Sequence, residues 1–363
     1  MPSSNAPPKN PIFTTMGMFI IDTIEPHSTQ SNSTPQIIQD NIIGGGGTFA
    51  TLGARIIATS AHASAISWII DEGSDLIPRE IHEYLDSWST DLRWRYDANR
   101  LTTRGWNGYV DVLGTREFRY LTPKKQITID DLKDQGLLGA RSFHLICSPM
   151  RVQEIVKLIR DHADRSDTEQ PVIAWEPVPD FCGHEYLDQV LQALPMIDIF
   201  TPNAEEAARL LSQTEPTTTE SLLQLSQYYT QCLSRDNSMI VLRCGALGCH
   251  TATINKDESS WFPAYHQLTP EKVIDPTGGG NTFIGSFLMG FILSGKDWRV
   301  ASMCGNIGAG IAIEQVGMPS FEKEPINGDV WGGVSLKDRI KKYCSLKSQN
   351  GLDEEDIWEA LVN

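Results

Sequence analysis

The residues best placed to do chemistry stand together at Asp275-Pro276-Thr277-Gly278-Gly279-Gly280-Asn281, immediately before an almost wholly apolar run from Phe283 to Leu293. Gly278, Gly279 and Gly280 carry no Cβ, so the backbone there can take unusual φ/ψ values and approach a ligand closely. The apolar run predicts a buried helix. Its first N–H groups lack intrahelical partners and lie at the positive end of the dipole. A glycine turn feeding such a helix suits an anion, commonly a phosphate. Asn281 ends the turn with an amide, which accepts no proton at ordinary pH.

Other constellations belong to the same kind of site. In Thr201-Pro202-Asn203-Ala204-Glu205-Glu206 a strand becomes a helix, with Asn203 as N-cap and Glu206 three residues on, the spacing of a capping box. Met239 to Cys249 reads as a strand followed by a turn holding Gly245 and Gly248. Arg243 precedes that turn, and a guanidinium beside a polyphosphate is electrostatically favourable. Near the start, Met16 to Ile24 reads as one buried first strand carrying Asp22 towards its C-terminal end. Ligands of doubly wound sheets bind beyond strand C-termini, which makes Asp22 a candidate ligand. It could equally turn the chain into the Ser/Thr/Pro-rich loop Glu25 to Gln39. Gly44 to Gly47 precede a helix-compatible segment. His184 lies near Cys182 and Asp180; an ordinary polar loop explains that trio better than a metal site.

Taken in order, these stretches resemble the ribokinase-like (PfkB) family of carbohydrate kinases over roughly residues 14 to 320. The family signature Asp-Thr-x-Gly-Ala-Gly-Asp stands here as Asp275 to Asn281, with Asn281 where the family places its general base. The resemblance implies ATP as phosphate donor, with Asn203, Arg243, Gly245, Gly248 and Asn306 around the nucleotide, and Mg²⁺ organised by Glu206 of the Asn-x-x-Glu motif. A monovalent cation near Asp275 is implied as well. Substrate contacts fall on Asp22, Gly45, Gly46 and Thr48, where the family has an Asn and this chain has Thr48 or Phe49. Arg104 and Asn107 could also face substrate. Arg243 stands for a Thr and Pro276 for another Thr. The wording Pro-Thr-Gly-Gly-Gly-Asn also resembles a divergent fungal branch of the family, of Mak type, linked to maintenance of a killer double-stranded RNA virus. Two functions follow: a kinase acting on a sugar or nucleoside hydroxyl, weakened by Asn281, or a pseudokinase that keeps the fold as a binding protein or scaffold. A NAD-binding reading fails because Gly44 to Gly47 are contiguous and lie too far from the first strand.

The elements that must position these residues alternate. From Ser142 onward strands and helices follow each other, which predicts a parallel sheet with helices on both faces. The expected fold is α/β, a ribokinase-like three-layer α/β/α sandwich with a small antiparallel β lid. Its parts are a disordered leader over 1–13, one domain over 14–330 with lid strands at about 25–40 and 92–122, and a helical tail over 331–363. Leu113 to Arg116 offers the turn between two lid strands, and the family resemblance makes the lid a candidate homodimer surface. Among 363 residues, 40% are apolar, enough for a packed core, and the net charge of −16 opposes a nucleic-acid or anionic membrane surface. No apolar run approaches the roughly 20 residues of a membrane helix. Seven cysteines without a CxxC pair suit reduced, mostly buried thiols in a cytoplasmic or nuclear protein.

Overall fold

The computed structural model describes residues 10–25, 38–75, 77–109, 116–166, 168–255, 258–324, 326, 328–346 and 353–362. Residues 1–9 of the expected leader, 26–37 of the Ser/Thr/Pro-rich loop and 110–115 at the lid turn lie outside the described residues. In chain order the first elements are β1 (Phe13–Thr15), β2 (Ile20–Ile24), β3 (Gln39–Gly44), α1 (Gly46–His62), β4 (Ile66–Glu72), α2 (Arg79–Ser87), β5 (Asp91–Tyr96), β6 (Arg104–Tyr109), β7 (Arg116–Tyr120) and α3 (Ile129–Asp134). The alternating half follows: β8 (Ser142–Cys147), α4 (Pro149–Arg165), β9 (Val172–Pro177), α5 (Leu187–Ala193), β10 (Ile199–Phe200), α6 (Ala204–Leu210), α7 (Thr219–Thr230), β11 (Met239–Arg243), β12 (Cys249–Thr253) and β13 (Ser259–Phe262). Then come α8 (Gly279–Leu293), α9 (Trp298–Ala312), three two-residue strands that form a small sheet of their own, α10 (Leu336–Leu346) and α11 (Glu354–Val362).

The main sheet runs β13-β12-β11-β10-β9-β8-β1-β4-β5. Neighbours from β11 to β5 are parallel, and β12 and β13 add an antiparallel edge. Side chains alternate between faces, as a pleated strand requires. Val172 and Ala174 join the core under α1, α2 and α8 to α11, whereas Ile173 and Trp175 join the core under α3 to α7. The result is the expected three-layer sandwich. The lid is a separate sheet of order β3-β2-β6-β7, and one of its pairings, β2 with β6, is parallel.

Two boundaries differ from the sequence expectation. Met16 to Ile24 is not one strand of the main sheet. The sheet strand is Phe13–Thr15, and Ile20–Ile24 belongs to the lid. The chain changes sheet around Gly17, whose absent Cβ lets its backbone lie against the backbone of Gly47. Similarly, β5 within the expected lid segment 92–122 is the edge strand of the main sheet, paired with β4. Its β-forming residues fit either sheet, so propensity could not assign it. Over 331–363, α10 and α11 insert Leu336, Ile340, Tyr343, Ile357, Trp358 and Leu361 into the core shared with α1 and α9.

Helices α1 and α8 fix the site. A Cβ at Gly53 or Gly285 would collide with the backbone carbonyl of Thr282 or Ala50 respectively, so the two helices touch backbone to backbone. Ser286 Oγ donates to Gly53 O at 2.9 Å across the seam. Both helices therefore start side by side, and both start in glycine-rich turns.

Candidate active site

The turn before α8 is built by its own side chains. Asp275 Oδ1 accepts from Thr277 N at 3.0 Å and from Thr277 Oγ1 at 2.8 Å. Gly278, the N-cap of α8, has φ +77°, and the Phe49 ring occupies the space of a Cβ there. Only glycine meets both demands. From the other side comes the start of α1, where Gly45 has φ +94°. A Cβ on Gly46 would lie 3.4 Å from Asn281 Nδ2, so the two glycine turns meet at Asn281.

Beneath Asn281 lies a polar cluster contributed by the C-terminal ends of the parallel strands. Glu176, near the end of β9, is 5% exposed. Its Oε2 accepts from Asn281 Nδ2 at 2.7 Å and from His144 Nε2 at 3.2 Å, and its Oε1 lies 2.9 Å from Arg243 Nη2. His144 Nδ1 in turn is 2.9 Å from Thr15 Oγ1, which accepts from Gly17 N. A carboxylate at Nε2 makes that nitrogen the donor. Burial pushes the Glu176 carboxyl up, but Arg243, His144 and Asn281 outweigh it and hold the group below the usual glutamate range.

Arg243 links this cluster to Glu206. Nη2 donates to Thr201 O at 3.1 Å and lies 3.5 Å from Glu206 Oε2, while Nη1 fills the place of a Cβ on Gly280. Glu206 also closes the expected capping box. Its Oε2 accepts from Asn203 N at 2.8 Å, and Asn203 Oδ1 accepts from Glu206 N at 2.7 Å. Burial raises the Glu206 carboxyl, against the opposing pull of Arg243 and Asn203 N.

A cavity of about 450 Å³ opens beside this cluster. Asn203, Arg243, Gly245, Gly248, Gly279, Gly280 and Asn306 all line it, and Tyr265, His266, Phe283 and Ile313 add apolar and aromatic walls that sequence reasoning had not assigned. Asn306 spends its amide N–H groups on Ser302 O at 2.9 Å and Cys249 Sγ at 3.3 Å, so it shapes the wall from within α9.

On the lid side, Asp22 stands on β2 between Ile42 and Gly105. It is 4% exposed. Burial raises its pKa to about 7; Asn107 opposes the shift with a hydrogen bond and the Asp275 charge adds to it. A Cβ at Gly44 or Gly105 would strike its carboxylate. Arg104 Nε is tied to Asp75 Oδ2 at 2.7 Å. Thr48, in the first turn of α1, is fully buried, and its Oγ1 has no hydrogen-bond partner among the described residues. His184 Nδ1 bonds Leu210 O at 2.9 Å, and among the described residues no three His, Cys, Asp or Glu side chains are grouped to hold a metal.

Glu176, His144 and Thr15 were missed from the sequence. The available signal was a charged or imidazole side chain inside an otherwise apolar buried strand, which is unusual without a partner.

A parallel α/β/α sandwich with a β lid, and a glycine turn at the start of a buried helix, is the architecture of the ribokinase-like fold. Two solved structures share the fold: ribokinase from Giardia lamblia, with TM-score 0.64 and 16% identity over 85% of this chain and 94% of that one, and Anopheles gambiae adenosine kinase in complex with P1,P4-di(adenosine-5) tetraphosphate, with TM-score 0.65 and 18% identity over 85% and 97%. The chain belongs to the pfkB family of carbohydrate kinases, whose sequence pattern matches residues 117–324. It is 41% identical to Protein MAK32 of Saccharomyces cerevisiae over 364 residues, which cover 96% of both proteins.

The residues present do not fit the magnesium ion that the family implies. Mg²⁺ is usually held by one or two carboxylates and several waters. Here Glu206 is engaged by Asn203 N and faces Arg243, and Glu176 is engaged by three donors. A divalent cation at these oxygens would stand against a guanidinium. Asp275 Oδ1 is likewise bonded within its own turn.

Proposed function

We propose that this protein binds a nucleoside triphosphate and transfers its terminal phosphate, slowly, to a hydroxyl of a sugar or nucleoside. The observation that carries this reading is that the 450 Å³ cavity reaches the first turn of α8 at Gly279 and Gly280, the residues just before Asn281. The aromatic and apolar walls suit a nucleoside, and the phosphates would lie toward Arg243 and the start of α8, where a positive side chain and free N–H groups stabilise transferring charge. The acceptor would enter beneath the lid, between Asp22 and the start of α1. Because Asn281 Nδ2 donates to Glu176, its Oδ1 is left as an acceptor for a substrate hydroxyl. It can orient that hydroxyl but cannot take its proton, and lack of a general base costs about 10² to 10⁴-fold in rate.

A second reading, a pseudokinase that binds nucleotide without turnover, draws support from the same 2.7 Å bond, since it commits the Asn281 amide to Glu176. Calorimetric titration with ATP, followed by a screen of sugars and nucleosides for ADP release, separates the two. Binding with slow, substrate-dependent release supports the kinase, and binding without release under any acceptor supports the pseudokinase. Absence of nucleotide binding would sink both. The lid carries exposed Phe118 and Tyr120, which suits a homodimer formed through it; sedimentation of Phe118→Glu against wild type checks this.

A further inference from the structure

We infer that Arg243 takes the place of the divalent cation at the phosphate end of this site, so that polyphosphate binding is independent of Mg²⁺. The inference rests on the reading of the cavity as a nucleotide site. Its basis is where the guanidinium stands. Arg243 bridges Glu176 and Glu206, two buried carboxylates, at 2.9 and 3.5 Å. It reaches past them to the first turn of α8, where Nη1 takes the space that any side chain at position 280 would need. Its Nε has no hydrogen-bond partner among the described residues. The side chain is 12% exposed, and it lines the cavity together with Gly279 and Gly280. A cation is thus already fixed beside the anion-binding turn, held by the carboxylates that would otherwise recruit a metal.

An arginine can do this work. Its fork matches phosphate geometry, it stays charged at any relevant pH, and it sheds water more readily than an ammonium. A metal arriving at Glu206 or Glu176 must first displace the guanidinium or withstand its charge.

Calorimetry on the full chain tests the inference, with ATP and with tripolyphosphate, each in EDTA and in excess MgCl₂. Wild type is expected to bind both ligands in EDTA with dissociation constants within about threefold of those in Mg²⁺, a difference of under one tenfold step. Arg243→Thr is expected to lose about 10- to 100-fold in EDTA, the worth of a charge-assisted contact, and Arg243→Lys to fall between. Wild type alone decides the matter if Arg243→Thr does not fold. Binding of ATP only in the presence of Mg²⁺ overturns the inference and leaves the nucleotide site standing. Binding of ATP but not tripolyphosphate in EDTA overturns it too, by placing the affinity in the nucleoside. No binding of either ligand in either buffer overturns both the inference and the nucleotide reading.

Discussion

Asn281→Asp would place a carboxylate where the family pattern has one, yet it should damage the protein. The amide at position 281 donates to Glu176 Oε2 at 2.7 Å, and Glu176 is buried. A carboxylate there turns a hydrogen bond into a contact between like charges. Two unit charges about 3.5 Å apart repel by about 5 kcal/mol at an effective dielectric of about 20. The pair can escape by holding one proton. At pH 8 that costs a group of ordinary pKa near 4.3 about 5 kcal/mol, and at pH 5 about 1 kcal/mol. Arg243, already 2.9 Å from Glu176, offsets part of the repulsion. The expected loss is therefore about 3 to 5 kcal/mol at pH 8, in the range of an unpaired buried charge, and about 1 kcal/mol at pH 5. The sign follows from proton binding. The shared proton raises the folded-state pKa above the unfolded one, so the folded state binds more protons and stability falls as pH rises from about 4. Urea unfolding, followed by the fluorescence of the nine tryptophans, reads this out at both pH values. Asn281→Asp combined with Glu176→Gln should recover to within about 1 kcal/mol, because the new amide can donate to the new carboxylate. The same pair should recover ADP release, whereas Asn281→Asp alone keeps its proton shared and gains little. An Asn281→Asp variant as stable as wild type at pH 8, or a deficit that does not shrink at pH 5, would refute the reasoning.

Other outcomes follow from separate parts of the structure. Asp22 has its pKa raised to about 7 by burial; it binds protons more tightly folded than unfolded, so stability is lost as pH rises from about 4 towards 7, and Asp22→Asn should stabilise by about 2 to 4 kcal/mol at pH 8 while changing little at pH 4. Urea midpoints across that range show it. Arg55→Met removes a 2.6 Å ion pair with Asp329 in which both side chains are fully buried, at a cost of about 3 to 5 kcal/mol; adding Asp329→Asn should return a large part of it. Gly285→Ala drives a Cβ into the Ala50 carbonyl and should cost about 3 kcal/mol or more, with weakened ATP binding because it spreads the two glycine turns. Equal affinities in calorimetry would break that link.

The legibility of the sequence divides along physical lines. The α8 turn, the Asn203/Glu206 cap and the Gly245 to Gly248 turn were readable because each is a local arrangement, specified by residues within about one helical turn. The alternation from β8 to β11 was readable because each strand is a short apolar run bounded by helix signals. Thr15, His144 and Glu176 were not. They sit on three strands, 129 and 32 residues apart, and meet only through sheet order. The first strand was misread because a nine-residue apolar run contains a switch of sheets, and only the contact of Gly17 with Gly47, a long-range fact, says where the switch falls.

Asn281 and Arg243, two of the departures from the family pattern, are joined physically by Glu176. Relative to that pattern the site has one negative charge fewer at position 281 and one positive charge more at position 243. Together these equal the charge of a divalent cation. Both side chains bond the same carboxylate, one to each oxygen, so neither change is independent of the other. The test is to undo both. Arg243→Thr with Asn281→Asp would leave the carboxylates of Glu176, Glu206 and position 281 facing one another without a cation. Such a cluster should be unstable in EDTA and should bind Mg²⁺, and a ligand that binds only the folded state stabilises it by about 2.7 kcal/mol at a hundredfold excess over its dissociation constant. Addition of MgCl₂ should therefore raise the melting midpoint of the double variant and leave that of wild type unmoved. A double variant indifferent to Mg²⁺ would mean that the guanidinium and the amide do not together stand for the ion.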